Sequence, residues 1–362
     1  MIRMLTLFLC LFPVAITNSQ SGDSGPANTE SLEAVKTNVP GVIALRPIPS
    51  NLDAETVSDS VLARYGLPPR PDRSKYPEAF RVWTDLFQAA RDRVTPELTV
   101  SDIFHQPIHI VSADSKKRPD GLINRTSSNW SGFVITDTQN VFNQTGTLFA
   151  YYTAPGVSLC YKPGPRMWSA YWVGIDGGGT ASQDVLQVGT SSDQECNLGV
   201  NDHPQYYAWL EWYPSPALIA DRQVPIVPGD SMFICVFIDT IRNVRVVTVR
   251  NLTRLKTFSM AMTPPSGTHL LGDTIEWVVE RPQVNGALTS LAPYTRSSFQ
   301  MMQTYYQQGA LVYRPSLAPT GTSYSVTMVD STPNLPNPNI STPTLYPGPS
   351  DDAAWFVRPY IW

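Results

Sequence analysis

Histidine, cysteine and, over most of the chain, charge are scarce, and each shortage removes a class of function. Only 28 of the 235 residues from Ser128 to Trp362 are charged, 16 acidic and 12 basic. The net charge is -4 and no basic block occurs, so nothing matches the electrostatics of a nucleic acid. Beyond Ser128 only His203 and His269 occur, and neither has a neighbour at metal-ligand spacing. No metal and no cofactor is therefore expected. Apolar runs are short as well. The run Met4 to Ile16, after Arg3, has the length of a signal-peptide core, and Thr17, Asn18 and Ser19 follow it. No later stretch is suited to crossing a membrane. Residues 1–19 read as a signal peptide, and the chain reads as secreted and free of the membrane once they are removed.

Of the four cysteines, Cys10 leaves with that segment. Cys160 and Cys196 lie in loop-like surroundings and can pair in an oxidising compartment, whereas Cys235 sits in an apolar strand pattern as a buried thiol. Glycosylation sequons begin at Asn124, Asn129, Asn143, Asn251 and Asn339, in keeping with secretion.

What is abundant divides the chain in two. From Gln20 to Ser127 about a quarter of the residues are charged, with the signs nearly balanced. Residues 21 to about 55 show no period and read as largely irregular; Glu55 to Arg64 suggests a short helix. A better helix starts at Pro77, where Phe80, Trp83, Phe87 and Ala90 recur at three- and four-residue spacing. A polar run from Ser112 to Asn124 leads out of this region. After Asn129 short aromatic and β-branched segments alternate with turns about every ten residues. They include Gly146 to Thr153, Ser169 to Ile175, Tyr206 to Tyr213, Ser231 to Asp239 and Thr274 to Glu280. This is the pattern of an all-β sandwich or barrel of antiparallel strands, expected as a monomer. The last thirty residues, rich in Pro and Asn, read as a long wrapping loop.

Several familiar signatures fail. Gly22-Asp-Ser-Gly25 resembles a serine-protease nucleophile motif but lies outside any strand pattern, with no His in a matching context. Gly174 to Thr180 lacks the Lys-Ser/Thr of a phosphate loop. Carboxylates and amides remain. Gln187, Glu211, Glu276 and Glu280 interrupt apolar strands flanked by Trp172, Trp209, Trp212 and Trp277. One polar residue in such a strand often just faces water; four among tryptophans suggest a cleft. From the residues alone, three readings stay open: a peptidase, a β-sandwich glycoside hydrolase using two of the glutamates, and a non-catalytic carbohydrate-binding module.

Six segments narrow this: Asn129-Trp-Ser-Gly132, Trp172-Val-Gly-Ile-Asp-Gly177, Leu186-Gln-Val-Gly189, Ala208-Trp-Leu-Glu-Trp-Tyr-Pro214, Gly229-Asp230 and Glu276-Trp-Val-Val-Glu280. In order and approximate spacing they resemble the glutamic peptidases (eqolisins), over roughly Ser128 to Val329. The resemblance implies two antiparallel sheets of about seven strands, with the site on the concave face of one. It places the catalytic pair on Gln187 and Glu280 and lines the cleft with Trp172, Asp176, Tyr207, Trp209, Glu211 and Glu276. Protein or peptide substrates follow. One departure is Tyr207, where the family's type enzyme has Asp. Residues 20–127 then read as a partly helical propeptide covering the cleft, and residues 128–362 as the peptidase domain. Removal is expected at Lys116-Lys-Arg118 or by autolysis between Ser112 and Ser128.

Overall fold

The computed structural model describes residues 32–158, 166–179, 181–195, 204–220, 223–240, 242–295, 297–330, 339–349 and 351–357. The segment read as a signal peptide, the Gly22–Gly25 motif, His203 and the expected Cys160–Cys196 pairing fall outside the described residues. Among the described residues Cys235 is a free, buried thiol, and no helix is long and apolar enough to cross a membrane.

Two sheets face each other, as the turn spacing predicts. The centre of the first runs Pro204–Tyr213, Val185–Gln194, Ala170–Ile175, Thr274–Glu280, Trp130–Thr136, Thr322–Val329, with antiparallel neighbours throughout. The second runs Lys256–Met262, Val244–Asn251, Ser231–Asp239, Gly146–Thr153, Ser297–Tyr306, Asp352–Val357, again antiparallel.

Strand alternation sets what each face carries. Tyr171, Val173 and Ile175 point between the sheets with Leu186, Val188, Leu210, Trp212, Ile275 and Trp277, meeting Leu148, Ile234, Val236 and Val247 from the second sheet. The intervening residues Trp172, Trp209, Val278, Trp130 and Val134 form a separate cluster on the outer face of the first sheet. An antiparallel sheet commonly leaves one face to water. Here both faces of both sheets are covered.

The cover is the N-terminal region. Val42–Leu45 adds to the free edge of the second sheet through the register Ala44↔Met260. Ser58 accepts from the Val61 N–H to cap the helix Asp59–Arg64. The longer helix, Pro77–Arg91, begins at the proline that suits a first turn. It lays Trp83, Leu86 and Phe87 on Phe149, Phe233 and Cys235, the outer side of the second sheet. Leu98–Val100 joins the edge of the first sheet beside Leu218–Ala220. The chain then crosses the outer face of that sheet and returns through Ile110–Lys117 and Ile123–Ser127. This last strand runs parallel to Thr322–Val329, a parallel pairing within the antiparallel architecture.

The region before residue 55 is largely irregular where described, interrupted by the short strands Ala34–Lys36 and Val42–Leu45. The first part of the polar run, Ser112 to Lys117, lies in the exposed strand Ile110–Lys117, which pairs with Ile123–Ser127. One expectation needs correction: where described, the C-terminal segment is no loop, because Asn339–Pro347 and Asp352–Val357 are strands that pair with one another. Two sequons are also closed off. Asn129 and Asn251 are buried, and the Asn251 amide donates to the Pro225 carbonyl and to Asp230. A glycan on either would have to displace such bonds, whereas Asn124 and Asn339 are exposed.

Candidate active site

The outer face of the first sheet carries its polar residues in two rows. Glu211 is opposite Gln187, Gln187 opposite Gly174, and Gly174 opposite Glu276. Two residues further along stand Trp209, Gly189 and Trp172; two more bring Tyr207, Ser191, Ala170 and Glu280. Alternation puts all of them on one face. Gln187 and Glu280 are two strands apart and four residues out of line, so their backbones are separated by roughly 16 Å. Their side chains close that gap toward a common occupant.

Glycines make the floor. A Cβ on Gly189 would collide with the Tyr171 carbonyl oxygen and come within 2.6 Å of the Trp172 Cβ; one on Gly174 would sit 2.8 Å from the Trp172 ring. Only with both absent can the Trp172 indole lie across the floor and donate its Nε1–H to Glu280 Oε2 at 2.8 Å. The Trp130 ring meets it edge-on, with centroids 4.9 Å apart and planes at 80°.

The occupant is the crossing segment Ile103 to His109. The His105 ring stacks on Trp209, centroids 3.7 Å apart and planes within 4°. Its Nδ1 lies 2.7 Å from Glu211 Oε2, and its backbone N–H donates to both Glu211 oxygens at 3.2 and 3.0 Å. Its carbonyl accepts from Gln187 Nε2 at 2.6 Å. The next N–H, that of Gln106, lies on the Glu280 side and, with Trp130 and Asn129, counters the lifting of the Glu280 carboxyl, whose direct hydrogen bond comes from Trp172. Gln187 and Glu280 thus attend the two ends of one peptide unit.

Flanking contacts fix the segment. Ile103 and Phe104 pair with Val284 and Gln283, and the Ala217 N–H donates to the Ile103 carbonyl at 2.9 Å. On the far side Asn129 Oδ1 accepts from the His109 N–H at 2.8 Å while its Nδ2 donates to the Pro107 carbonyl at 3.1 Å. Gln106 Nε2 donates to Gln283 Oε1 at 2.7 Å.

Burial dominates the electrostatics. Gln187, Glu211, Glu276 and Glu280 are all fully buried. Desolvation lifts Glu280 well above the carboxylate range, with the Trp172 indole N–H opposing it. Glu211 rises for the same reason, against the His105 backbone N–H and helped by the charge of Glu280. Burial pushes the His105 imidazole down to about 3. The contact between Glu211 and His105 therefore holds a single proton.

The other expected site residues divide. Trp172, Trp209 and Glu211 join the pair around the peptide. Glu276 lies toward the other end of its strand beside Thr274, lifted by burial and by the charges of Asp176 and Asp273. Asp176, at φ 72°, is committed to a loop: it accepts from the N–H groups of Leu271, Gly272 and Asp273 at 2.6, 2.8 and 3.0 Å. Tyr207 donates its hydroxyl to Asp193 Oδ2 at 2.7 Å, so a carboxylate from the neighbouring strand stands beside the position where the sequence departs from the family pattern. Among the described residues no cluster of His, Cys, Asp and Glu is arranged to hold a metal.

Sequence reasoning overlooked His105, Gln106 and the clamp made by Asn129. A faint signal existed: Ile103 and His105 alternate as buried positions in an otherwise charged region.

The Peptidase A4 family pattern matches residues 128–341, more than half of the chain. No curated protein sequence matches it. Among solved structures, scytalido-glutamic peptidase with a transition state analog inhibitor is similar at 18% identity and TM-score 0.48, over 64% of this chain and 98% of that one. SCP-B, an eqolisin-family peptidase in complex with the tripeptide Ala-Ile-His, is similar at 17% identity and TM-score 0.45, over 64% and 98%. Aspergilloglutamic peptidase from Aspergillus niger is similar at 22% identity and TM-score 0.41, over 53% and 99%. The match spans the strands that carry Gln187, Glu211 and Glu280, and on that ground the chain belongs to the Peptidase A4 family.

Proposed function

We propose that this peptidase is a secreted endopeptidase that works at acid pH through Gln187 and Glu280, made as a zymogen with residues 20–127 as its propeptide. One observation carries the reading: Gln187 Nε2 meets the carbonyl, and Glu280 faces the N–H, of the same peptide unit. Amide hydrolysis needs an activated water, a partner for the developing oxyanion and a proton for the departing nitrogen. Glu280 must be ionised to take the proton from water and deliver it to the nitrogen; burial under the covering segment opposes that, and admitting water to the cleft lowers the carboxyl again. Gln187 donates to the oxyanion, a contribution of about 3 kcal/mol, and its carbonyl oxygen helps to orient the water. Gln187 Oε1 and Glu280 Oε1 accept no hydrogen bond from the described residues, which suits that task.

Glycoside hydrolysis has no comparable observation behind it. It needs two carboxyls working as a pair about 5 to 9.5 Å apart, whereas Glu211 is taken up by His105 and Glu276 lies toward the other end of its strand beside Thr274. Incubating the secreted protein with a denatured substrate between about pH 2 and 5, with and without pepstatin, tests the reading. Pepstatin-insensitive proteolysis is expected; cleavage of a polysaccharide, or retention on glycan without proteolysis, would replace it.

A further inference from the structure

Building on the dyad roles above, we propose that His105–Gln106 is the bond at which this chain cuts itself, and that Trp209 and Glu211 form the pocket selecting the side chain on the acyl side of the cut. The segment lies in the cleft in the polarity hydrolysis requires. Its carbonyl rests on the amide donor and its N–H faces the carboxyl. A segment bound backwards, or displaced by one residue, would bring a different pair of groups to Gln187 and Glu280.

The bookkeeping of the step is complete with water alone. Water oxygen adds to the His105 carbonyl carbon as Glu280 takes its proton, and the carbonyl electron pair moves onto the oxygen held by Gln187. Collapse re-forms the carbonyl and breaks the C–N bond, and the proton passes from Glu280 to the Gln106 nitrogen. The products are a carboxylate on His105 and an amine on Gln106.

The pocket is specific in chemistry. Trp209 offers a flat face to a ring, and Glu211 reaches the ring nitrogen at 2.7 Å while also accepting the same residue's backbone N–H. An imidazole satisfies both; an aliphatic side chain satisfies neither and leaves a buried carboxyl short of a partner. Both sides of the cut stay anchored, by Ala217 upstream and by Asn129 downstream. Residues 106–127 accordingly remain on the sheet after cutting, with Ile123–Ser127 still paired to Thr322–Val329.

The test is to hold purified full-length precursor at a series of pH values, above and below the point where docking weakens, and follow intact mass and N-terminal sequence. A new terminus at Gln106 should appear with a first-order rate independent of protein concentration, and not in Glu280→Gln. His105→Ala should slow it about tenfold. On peptides, wild type should prefer His over Leu before the cut by about tenfold, and Glu211→Gln should lose that preference. If the precursor digests a denatured protein yet keeps residues 105 and 106 joined, this inference falls and the dyad reading stands. If Glu280→Gln still digests the denatured protein, the dyad reading falls too. A precursor that digests neither itself nor the added protein overturns both.

Discussion

Gln187 reaches across the sheet to the carbonyl of His105, 82 residues earlier in the chain, with Nε2 and O 2.6 Å apart. This bond joins the sheet to the segment that covers it. It ties the state of the cleft to whatever loosens His105.

Acid should loosen it. Docked, the pair of His105 and Glu211 carries one proton, because burial lowers the imidazole to about 3 and raises the carboxyl. Undocked, the two return to about 6.5 and 4.3. Below about 4.3 the free pair takes a second proton that the docked pair refuses, and docking weakens by about 1.4 kcal/mol per unit down to about 3. Hydrogen exchange at His105 and Gln106 in full-length Glu280→Gln, corrected for intrinsic rates, should lose protection as the pH falls from about 4.3 to about 3. Protection that rises steadily with acidity contradicts the assignment.

Asp193 should make the fold more stable in acid. It is fully buried beside Tyr207 and Arg166, and burial raises it to about 7 against those partners. A carboxyl raised on folding stabilises the fold below its unfolded value of about 3.9, and that stability is lost as pH climbs through about 7. Denaturant midpoints of the wild type should fall across that range, and Asp193→Asn should flatten the fall. Tyr207→Phe should cost about 1 to 2 kcal/mol, more at the upper end where the ionised form has lost its donor.

Gly189→Ala should damage the cleft floor. The added methyl meets the Tyr171 carbonyl and the Trp172 Cβ, and the backbone there has no slack. A loss of about 1 to 3 kcal/mol is expected in denaturant melts, with activity reduced because Trp172 no longer reaches Glu280. A variant with unchanged stability and activity would mean that the floor is not packed as described.

Much of the sandwich was legible because its strands are local patterns. Gly146–Thr153, Ser231–Asp239 and Thr274–Glu280 form with the limits their composition suggests. Asn339–Pro347 was illegible because Pro343 and Pro347 argue against a strand, yet an edge strand tolerates proline where no ladder N–H is needed. Gln187 and Glu280 stood out as polar residues in apolar strands. His105 did not, because its meaning depends on a closure over 82 residues that no local pattern encodes. Asp176 looked like a cleft residue in sequence, while the loop 271–273 that claims its carboxyl is 95 residues away.

The central claim is that Gln187 and Glu280 together do the chemistry. It is tested most directly by digesting a denatured protein in acid with wild type, Gln187→Ala and Glu280→Ala, after melts show all three folded. Each substitution is expected to lower turnover about a hundredfold or more. Turnover near the wild-type rate in either folded variant would contradict the account.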